Sequence, residues 1–299
     1  MAHFNGSKYL EEQLQTIDQQ EGVEVELVVV DDCSDVNELR FLKRQIKLLK
    51  IKTRLIENSF NQGVAITFLG SLQKLLGNFD YYAFADQDDV WSENKLSIAI
   101  EKIGKARTDE PTLYCSRTRI IWSDGTLGPL SQKRKSPSFR NALAQSLAGG
   151  NTMVFCPKAA RLIAKSFRKH LQYSGHDWWC YILITGAGGK IVYDPEPHIF
   201  YRQHANNLIG ENNSLLSKFK RLRLLFKGTF KVWNDQNINA IRCSKPLFTP
   251  ENLEIVEAFD DARGKGVFCR LRAFVKLRLF RHSLLSNCGL LVGWLFGRV

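Results

Sequence analysis

Three carboxylates within four residues, Asp86, Asp88 and Asp89, form the group of side chains in this sequence best suited to chemistry. They follow the apolar residues 81–85, which predict a buried strand. Carboxylates this close repel one another unless a cation lies among them, and Mg²⁺ or Mn²⁺ binds such oxygen ligands together with substrate phosphates. The alternative interpretation is a solvated acidic turn that caps the next helix.

Asp31 and Asp32 repeat this arrangement earlier in the chain, after the apolar run 27–30. A carboxylate at such a position can accept a hydrogen bond from a nucleobase N–H or a ribose hydroxyl. The alternative is that these residues cap the following helix. Open parallel sheets bind ligands beyond the carboxyl ends of their strands, so both acidic clusters are expected at a ligand site.

The elements that must position these clusters are strands alternating with helices in residues 1–105. Apolar spacing predicts helices near 10–17, 41–49, 64–75 and 94–103, and strands at 27–30, 53–56 and 81–85. This alternation predicts βαβ units and a parallel sheet. After Pro111 the pattern changes: it predicts strands at 112–121, 152–156, 191–193 and 198–203, a loop over 123–140, and helices beginning at Pro157 and His176.

Composition and missing motifs exclude several classes of protein. The chain has 299 residues, 44% hydrophobic and 24% charged, which is an ordinary globular balance, and no run approaches 18 apolar residues. It lacks a P-loop, a complete GxGxxG, HExxH and GxSxG. Kinases, P-loop NTPases, classical dehydrogenases, zinc proteases and serine hydrolases are therefore disfavoured. The polar start and seven scattered cysteines indicate a cytosolic protein with reduced thiols.

Positive charge is concentrated in the C-terminal third. The formal net charge is +12, and residues 213–299 hold 16 Lys/Arg against 6 Asp/Glu. Residues 218–227 and 270–281 alternate cationic and apolar positions, which is typical of helices that bind an anionic membrane surface. The alternatives are a helical bundle packed on the rest of the protein with a solvated basic face, and a nucleic-acid groove.

An apolar stretch at 284–296 is too short to span a bilayer. Under the membrane interpretation, Leu290, Leu291, Trp294 and Phe296 would insert into the lipid surface.

Several segments taken together resemble family 2 glycosyltransferases of the GT-A fold. They are residues 2–6, 9–14, 30–35, 61–64 and 86–91. Residues 176–179, 193–194 and 201–204 resemble the bacterial rhamnosyltransferase-like branch. The resemblance covers about residues 1–210.

The resemblance implies an α/β fold, with a Rossmann-like, mostly parallel sheet flanked by helices. Its catalytic domain would span 1–212, with a nucleotide-sugar-binding half at 1–105 and an acceptor-binding half at 106–212. Residues 213–299 would form the basic amphipathic helical region. The implied reaction is inverting, metal-dependent transfer of a sugar such as rhamnose from a nucleotide-diphosphate donor, dTDP-rhamnose being one candidate. The acceptor would be a polysaccharide or lipid-linked glycan at the cytoplasmic face of the inner membrane, with no nucleic acid involved.

The resemblance also implies site residues. Asp177 matches the catalytic base. The donor would be bound by Ala2, His3, Phe4, Asn5, Asp32, Gly63, Asp86, Gln87 and Arg202. Asp86, Asp88 and His204 would hold Mg²⁺ or Mn²⁺, and the acceptor would contact Gly150, Asn151, His176, Trp178 and Trp179.

From the residues alone, blander interpretations stay open. Without the resemblance, Asp177 is better explained as an acid that interacts with the dipole of its helix. Trp178 and Trp179 would then be core residues, 149–151 an ordinary turn, and His204 a hydrogen-bonded polar residue.

The sequence departs from the family pattern at its first strand. Family members usually carry several more apolar residues before the position of Ala2, and His3 and Phe4 stand where Thr and Tyr are common. A short first strand supports a second hypothesis: a catalytically impaired relative that binds a nucleotide or glycan without turnover.

Overall fold

The first half of the chain folds as a parallel sheet with helices, as its apolar pattern predicts. The computed structural model describes residues 1–77, 79–106, 109–203 and 227–299. Its first sheet has the order β1 (Ala2–His3), β2 (Glu26–Asp31) and β3 (Lys52–Glu57), all parallel. The helices between and after these strands are α1 (Ser7–Asp18), α2 (Val36–Gln45) and α3 (Val64–Leu75).

Apolar side chains of β2 bury this sheet against α1. Leu27 and Val29 share one hydrophobic cluster with Leu10, Leu14 and Ile17 of the helix. The spacing of the helix residues puts them on one face, which is the reason that the pattern predicts the helix correctly.

A second, mixed sheet follows, with the strand order β4-β8-β6-β9-β5. Its members are β4 (Tyr82–Ala83), β5 (Val90–Trp91), β6 (Thr112–Trp122), β8 (Val154–Phe155) and β9 (Lys190–Gln203). β6 and β9 run parallel, and the remaining pairs are antiparallel. The fold class predicted from sequence is confirmed: a parallel sheet comes first, and a mixed sheet follows that begins with β4 and β5.

Two details of the sequence prediction are wrong. The segment 190–203 is one strand rather than two, because the pairing of β6 with β9 shifts register around Arg117 and Pro197 and so accommodates the prolines. The segment 123–140 is not all loop: it contains β7 (Leu127–Leu130), which forms a hairpin with β6, and a short helix, α5 (Phe139–Ala142).

Three more helices lie between residues 95 and 186: α4 (Lys95–Lys105), α6 (Pro157–Ser166) and α7 (His176–Gly186). α6 begins at Pro157 and α7 at His176, as predicted. Every residue of α7 except Asp177 is buried, so this helix is the centre of the main hydrophobic core.

The C-terminal region is helical and packs on that same core. It comprises α8 (Thr229–Cys243), α9 (Pro250–Arg263), α10 (Val267–Leu277) and α11 (Leu284–Leu295). Ile238, Phe259 and Trp294 belong to one cluster with Phe155 and Trp179. The predicted basic helix at 218–227 and the proposed domain boundary at 212 lie outside the described residues, apart from Lys227, so both stay predictions.

The packing overturns part of the membrane-insertion prediction. Leu290 and Trp294 are 2% and 1% exposed, because α11 turns them onto the protein core. Phe296, by contrast, is 69% exposed. In the described part of the chain, no helix combines the length and the apolar character that crossing a membrane requires.

Candidate active site

The carboxyl ends of β1, β2 and β4 meet at one edge, and both acidic clusters lie there. Asp32 donates its backbone N–H to the carbonyl of His3 at 2.8 Å. Ala2 donates to the carbonyl of Ala85 at 3.3 Å, which brings β1 beside the end of β4. This is the edge at which open parallel sheets bind their ligands.

The loop after β1 ties the two clusters together. Phe4 N–H donates to Gln87 Oε1 at 2.8 Å, and Gln87 Nε2 donates back to the Phe4 carbonyl at 3.2 Å. On the other side, Asn5 N–H donates to Ser34 Oγ at 3.0 Å, and Asp35 N–H donates to Asn5 Oδ1 at 2.9 Å. Phe4 and Asn5 are exposed, so both can contact a ligand at this edge.

His3 and Asp31 lie beneath this loop. His3 Nδ1 is 2.8 Å from Asp31 Oδ1, and Ser34 Oγ donates to the same oxygen at 2.5 Å. Burial raises the pKa of Asp31, but the hydrogen bonds from Ser34 and His3 outweigh it and lower the pKa overall. Because His3 is 1% exposed, the structure corrects its predicted donor contact: this histidine supports the loop from below.

Asp32 organises the segment that leads into α3. Its carboxylate accepts hydrogen bonds from Asn58 Nδ2 at 2.9 Å, Gln62 N–H at 3.0 Å and Gly63 N–H at 2.8 Å. Gly63 has φ +83°, a left-handed conformation that glycine adopts without strain. The predicted contact of Asp32 with a base stays a prediction, and the carboxylate keeps one lone pair of Oδ2 for it.

Asp89 is the buried member of the second acidic cluster. It is fully buried and accepts hydrogen bonds from Asn151 Nδ2 at 2.5 Å and from the backbone N–H of Arg202 at 3.4 Å. Burial, followed by the charges of Asp86 and Asp88, raises its pKa well above the usual range. Asn151 was predicted to bind the acceptor, but the structure shows it buried and bonded to Asp89, which is a structural role.

Asn151→Ala is expected to lower the free energy of unfolding by about 1–3 kcal/mol, because it leaves a buried carboxylate short of its closest donor. Urea unfolding measures this change. The control is Asn239→Ala, which removes an exposed amide from α8 and is expected to have little effect. Equal unfolding midpoints for the two variants would show that the Asn151–Asp89 contact does not stabilise the fold.

Asp86, Asp88 and Asp89 lie in one loop, called the acidic loop below. The charge of Asp177, in the first turn of α7, acts on Asp86 of this loop. Burial, followed by the negative charges of Asp88 and Asp177, raises the pKa of Asp86 to about 7. Asp177 therefore lies near enough for its charge to act on the loop, although 91 residues separate the two in sequence. The backbone of the loop is held by Gln13, whose Nε2 donates to the Asp86 carbonyl at 2.9 Å.

Lys95 is a functional candidate that sequence reasoning missed. Its side chain is buried, with Nζ 3.2 Å from the ring centroid of Trp91. Burial lowers its pKa well below the usual range, against the opposing effect of Asp89 and Asp86. A lysine at the start of a helix is usually exposed, so nothing in the sequence indicates this buried cation beside the acidic loop.

Arg202 lies against the acidic loop, and its contact with the donor stays a prediction. Its Nε donates to the Asp88 carbonyl at 3.1 Å, and it forms an ion pair with Glu12. Its guanidinium is 4.5 Å from the ring centroid of Tyr9. His204, the third predicted metal ligand, lies outside the described residues.

Asp177 projects from the N-terminus of α7, where it is the partly exposed residue of an otherwise buried helix. Ser146 Oγ donates to its Oδ2 at 3.0 Å. The helix dipole favours the charged carboxylate here, as expected if Asp177 only interacts with the dipole of its helix. The proximity to Asp86 is an additional feature that the dipole does not explain. Ser146 carries no signal in the sequence.

The residues that flank Asp177 belong to the core. Trp179 is fully buried and donates from Nε1 to Ser166 Oγ at 3.0 Å. Trp178 is 7% exposed and donates from Nε1 to the Ala142 carbonyl at 2.7 Å. Neither ring presents a face to a sugar, so the predicted acceptor contacts of both tryptophans are corrected to core packing.

His176 and Gly150 pack on each other. The His176 ring is 4.3 Å from the ring of Phe68, and burial lowers its pKa. A side chain at Gly150 would meet His176 Nε2 at 2.0 Å, so only glycine fits. Both residues are buried, and the structure gives them a packing role in place of the predicted acceptor contact.

The acidic loop can supply a metal with two ligands. Within the described ranges, no three His, Cys, Asp or Glu side chains converge as a metal site. Mg²⁺ and Mn²⁺, however, are commonly bound by one or two carboxylates together with substrate phosphates. Asp86 and Asp88 are partly exposed, and the pKa of Asp86 is raised first by burial and then by the negative charges of Asp88 and Asp177. The donor set therefore fits a hard divalent cation.

The fold that carries this site is that of GT-A glycosyltransferases. The chain superposes over 99% of its length on Staphylococcus aureus TarS 1–349 in complex with UDP, with a TM-score of 0.55, 15% identity and 88% coverage of that chain. It likewise matches the mannosyltransferase PcManGT from Pyrobaculum calidifontis in complex with GDP-Man and Mn²⁺, with a TM-score of 0.50, 14% identity, and coverages of 99% and 84%.

Residues 1–171 match glycosyl transferase family 2, and the chain belongs to that family. It is therefore a glycosyltransferase, as its sequence motifs predict. The dTDP-rhamnosyl transferase RfbG of Shigella flexneri is 28% identical over 232 residues, which cover 75% of this chain and 78% of that protein. An uncharacterised glycosyltransferase of Haemophilus influenzae is 27% identical over 246 residues, with coverages of 75% and 71%.

Proposed function

We propose that the chain transfers a sugar from a nucleoside-diphosphate donor to a hydroxyl of a glycan or lipid-linked acceptor, with inversion at the anomeric carbon and with Mg²⁺ or Mn²⁺. The observation that carries this proposal is the position of the acidic loop at the carboxyl ends of the strands, where Gln87 is hydrogen-bonded to Phe4 of the loop after β1. Asp177 is close enough for its charge to contribute to the raised pKa of Asp86. The first donor to test is dTDP-rhamnose, because the relative from Shigella flexneri is a dTDP-rhamnosyl transferase.

The nucleoside would bind at the edge formed by β1 and β2. Phe4 and Asn5 are exposed there, and Asp32 can accept from a base N–H. The hydrogen bonds between Phe4 and Gln87 hold this loop beside Asp86, so base and diphosphate would be oriented by one connected segment. Arg202, packed on the acidic loop, is the cation proposed to face the diphosphate.

Asp86 and Asp88 would hold the divalent cation, which when bound supplies stabilisation of the negative charge on the leaving diphosphate. Asp89 is excluded from this role because it is buried and bonded to Asn151. Its function is to fix the backbone from which its two neighbours project.

Asp177 would take the proton of the acceptor hydroxyl as that oxygen attacks the anomeric carbon. The hydrogen bond from Ser146 to Oδ2 orients the carboxylate and leaves Oδ1 for the hydroxyl. A base and a leaving group on opposite sides of the sugar give one in-line displacement, whose product has inverted configuration.

The test is a donor screen with the purified protein. dTDP-rhamnose, UDP-GlcNAc and GDP-mannose are each added with and without Mn²⁺, and the thermal shift and the release of nucleoside diphosphate are measured. One donor is expected to raise the melting temperature only with the metal, and to release its nucleoside diphosphate faster when a glycan acceptor is added.

Donor binding without release under any acceptor condition would favour the catalytically impaired relative. A thermal shift that is equal for all donors and independent of metal would contradict the proposed site. Strong, salt-sensitive retention on DNA in place of donor binding would support the nucleic-acid alternative.

A further inference from the structure

Helix α10 turns an apolar stripe toward solvent. Val267, Phe268, Leu271 and Val275 are 53%, 89%, 44% and 68% exposed. At 100° per residue these four positions fall within about 100° of the helix circumference. A surface helix normally turns its apolar side to the core, so α10 has a second apolar face that no element among the described residues covers.

Helix α11 does the same on its own outer side. Leu284, Leu285, Val292 and Phe296 are 87%, 64%, 39% and 69% exposed. Like the stripe of α10, they fall within about 120° of the circumference, whereas Leu290 and Trp294 occupy the buried side.

The two helices pack directly on each other. Trp294 Nε1 donates to the Arg270 carbonyl at 2.6 Å, and Arg270 donates from a terminal guanidinium nitrogen to the Leu295 carbonyl at 2.9 Å. The rings of Phe274 and Trp294 lie 6.4 Å apart. On α10 this contact side, at Arg270 and Phe274, lies next to the exposed stripe. The eight stripe residues of the two helices are called the α10–α11 face below.

The segment that forms this face is rich in cations and contains no anion. Residues 263–299 contain eight Lys/Arg and no Asp or Glu. Arg272, Lys276, Arg278 and Arg298 are exposed, and none forms an ion pair with a residue that the structure describes. On α10, Arg272 borders the apolar stripe directly, and Lys276 lies one turn further along on the same side as Arg272. An apolar surface edged by unpaired cations complements the headgroups and acyl chains of an anionic membrane.

We propose that the α10–α11 face docks the protein on an anionic lipid surface. Phe268, Leu271 and Val275 would enter the region between headgroups and acyl chains. Arg272 and Lys276 would contact the lipid phosphates. This surface replaces the one that the sequence predicts, because Leu290 and Trp294 are used by the protein core.

The docking face is fixed to the segment that orients Asp177. The turn after α10 is held by Arg140, which donates to the Leu277 carbonyl at 2.6 Å, and by Asn141, which donates to the Phe280 carbonyl at 2.9 Å. Arg281 donates to the Ala144 carbonyl at 2.8 Å, and two residues later Ser146 binds Asp177. Docking would therefore hold the catalytic segment at the membrane. That docking would bring Asp177 close to a lipid-linked acceptor rests on the proposed function. The docking itself does not rest on it.

The experiment measures sedimentation of the full chain with vesicles, without donor or acceptor. One set of vesicles contains phosphatidylglycerol and phosphatidylethanolamine, and the other contains phosphatidylcholine alone. The wild type is expected to bind the anionic vesicles and to lose this binding in high salt. Arg272→Gln with Lys276→Gln is expected to weaken binding about 25-fold, since each basic residue contributes about fivefold. Phe268→Ser with Val275→Ser is expected to weaken it at least about tenfold.

A matched control surface exists in the first half of the chain. Leu48 is 75% exposed between the exposed Lys47 and Lys50. Leu48→Ser with Lys47→Gln and Lys50→Gln makes the same kinds of change and is expected to leave vesicle binding unchanged.

Three results would overturn the proposal. They are no sedimentation of the wild type with anionic vesicles, equal binding to both vesicle types, and equal loss of binding in the control variant. The other possible occupant of this face is a second copy of the chain, and sedimentation velocity tests it. If the wild type is a dimer and the variant Phe268→Ser with Val275→Ser is a monomer, the face is a dimer interface and not a membrane-docking surface. Donor-induced thermal shifts of the same variants keep the two proposals separate, because they test the donor site without vesicles.

Discussion

Asp177→Asn is expected to lower the rate of sugar transfer by about 10²–10⁴-fold, the contribution of a positioned general base. Asparagine has nearly the same shape, and its side-chain oxygen can still accept from Ser146, so the helix start should stay intact. The proton of the acceptor hydroxyl, however, would have no carboxylate to receive it.

Donor affinity is expected to survive this substitution. A general base acts in the transition state and not in donor binding, so the dissociation constant of the donor should be unchanged. In addition, the charge of Asp177 is one of the two carboxylate charges that raise the pKa of Asp86. Its removal lowers the pKa of Asp86, which favours the charged carboxylate that binds a cation, so this effect gives no reason for donor affinity to fall.

The measurement is a comparison of kcat and donor Kd for the wild type, Asp177→Asn and Asp80→Asn. Asp80 is exposed and precedes β4, so its variant controls for the loss of one negative charge in the protein. If the donor Kd of Asp177→Asn rises as far as kcat falls, Asp177 binds the donor or supports the fold and is not the base.

The elements that position the site could be predicted because their patterns are local. The apolar run 27–30 and the helical spacing of Leu10, Leu14 and Ile17 each involve residues that are close in sequence. The elements that they predict, β2 and α1, form as expected. Both acidic clusters follow apolar runs, which is the local signal that predicts them at strand ends. The pattern does not show that β4 belongs to the mixed sheet, whose end is joined to β1 by the hydrogen bond from Ala2 to the Ala85 carbonyl.

The roles of individual residues could not be predicted, because burial is a tertiary property. An aromatic pair at a helix start is compatible with core packing or with sugar stacking, and only the position of Ser166 shows that Trp179 is inside. Likewise, 62 residues separate Asn151 from Asp89, and their contact depends on how the helical turn at 150–152 meets the acidic loop.

Which side of α11 is buried could not be predicted, for a different reason. Apolar residues occur on nearly every side of this helix, so no periodic pattern distinguishes Trp294, which is buried, from Phe296, which is exposed. A uniform pattern predicts a helix but not its orientation.

Asp88→Ala is expected to reduce turnover by about 10²–10³-fold, comparable to the loss of one electrostatic contact to the reacting group. It should also remove the effect of Mn²⁺ on donor binding. Asp88 is partly exposed, unlike Asp89, so truncating it should leave the unfolding midpoint nearly unchanged.

Titration calorimetry with the donor, in Mn²⁺ and in EDTA, separates the metal role from a structural one. For the wild type the donor should bind more weakly in EDTA, whereas for Asp88→Ala the two affinities should be equal. Asp80→Ala, an exposed aspartate outside the loop, should behave as the wild type does. Full wild-type activity in EDTA, or a metal effect that persists in Asp88→Ala, would show that the acidic loop does not work through a divalent cation. Lys95, whose buried amine interacts electrostatically with Asp89 and Asp86, would then be the next residue to substitute.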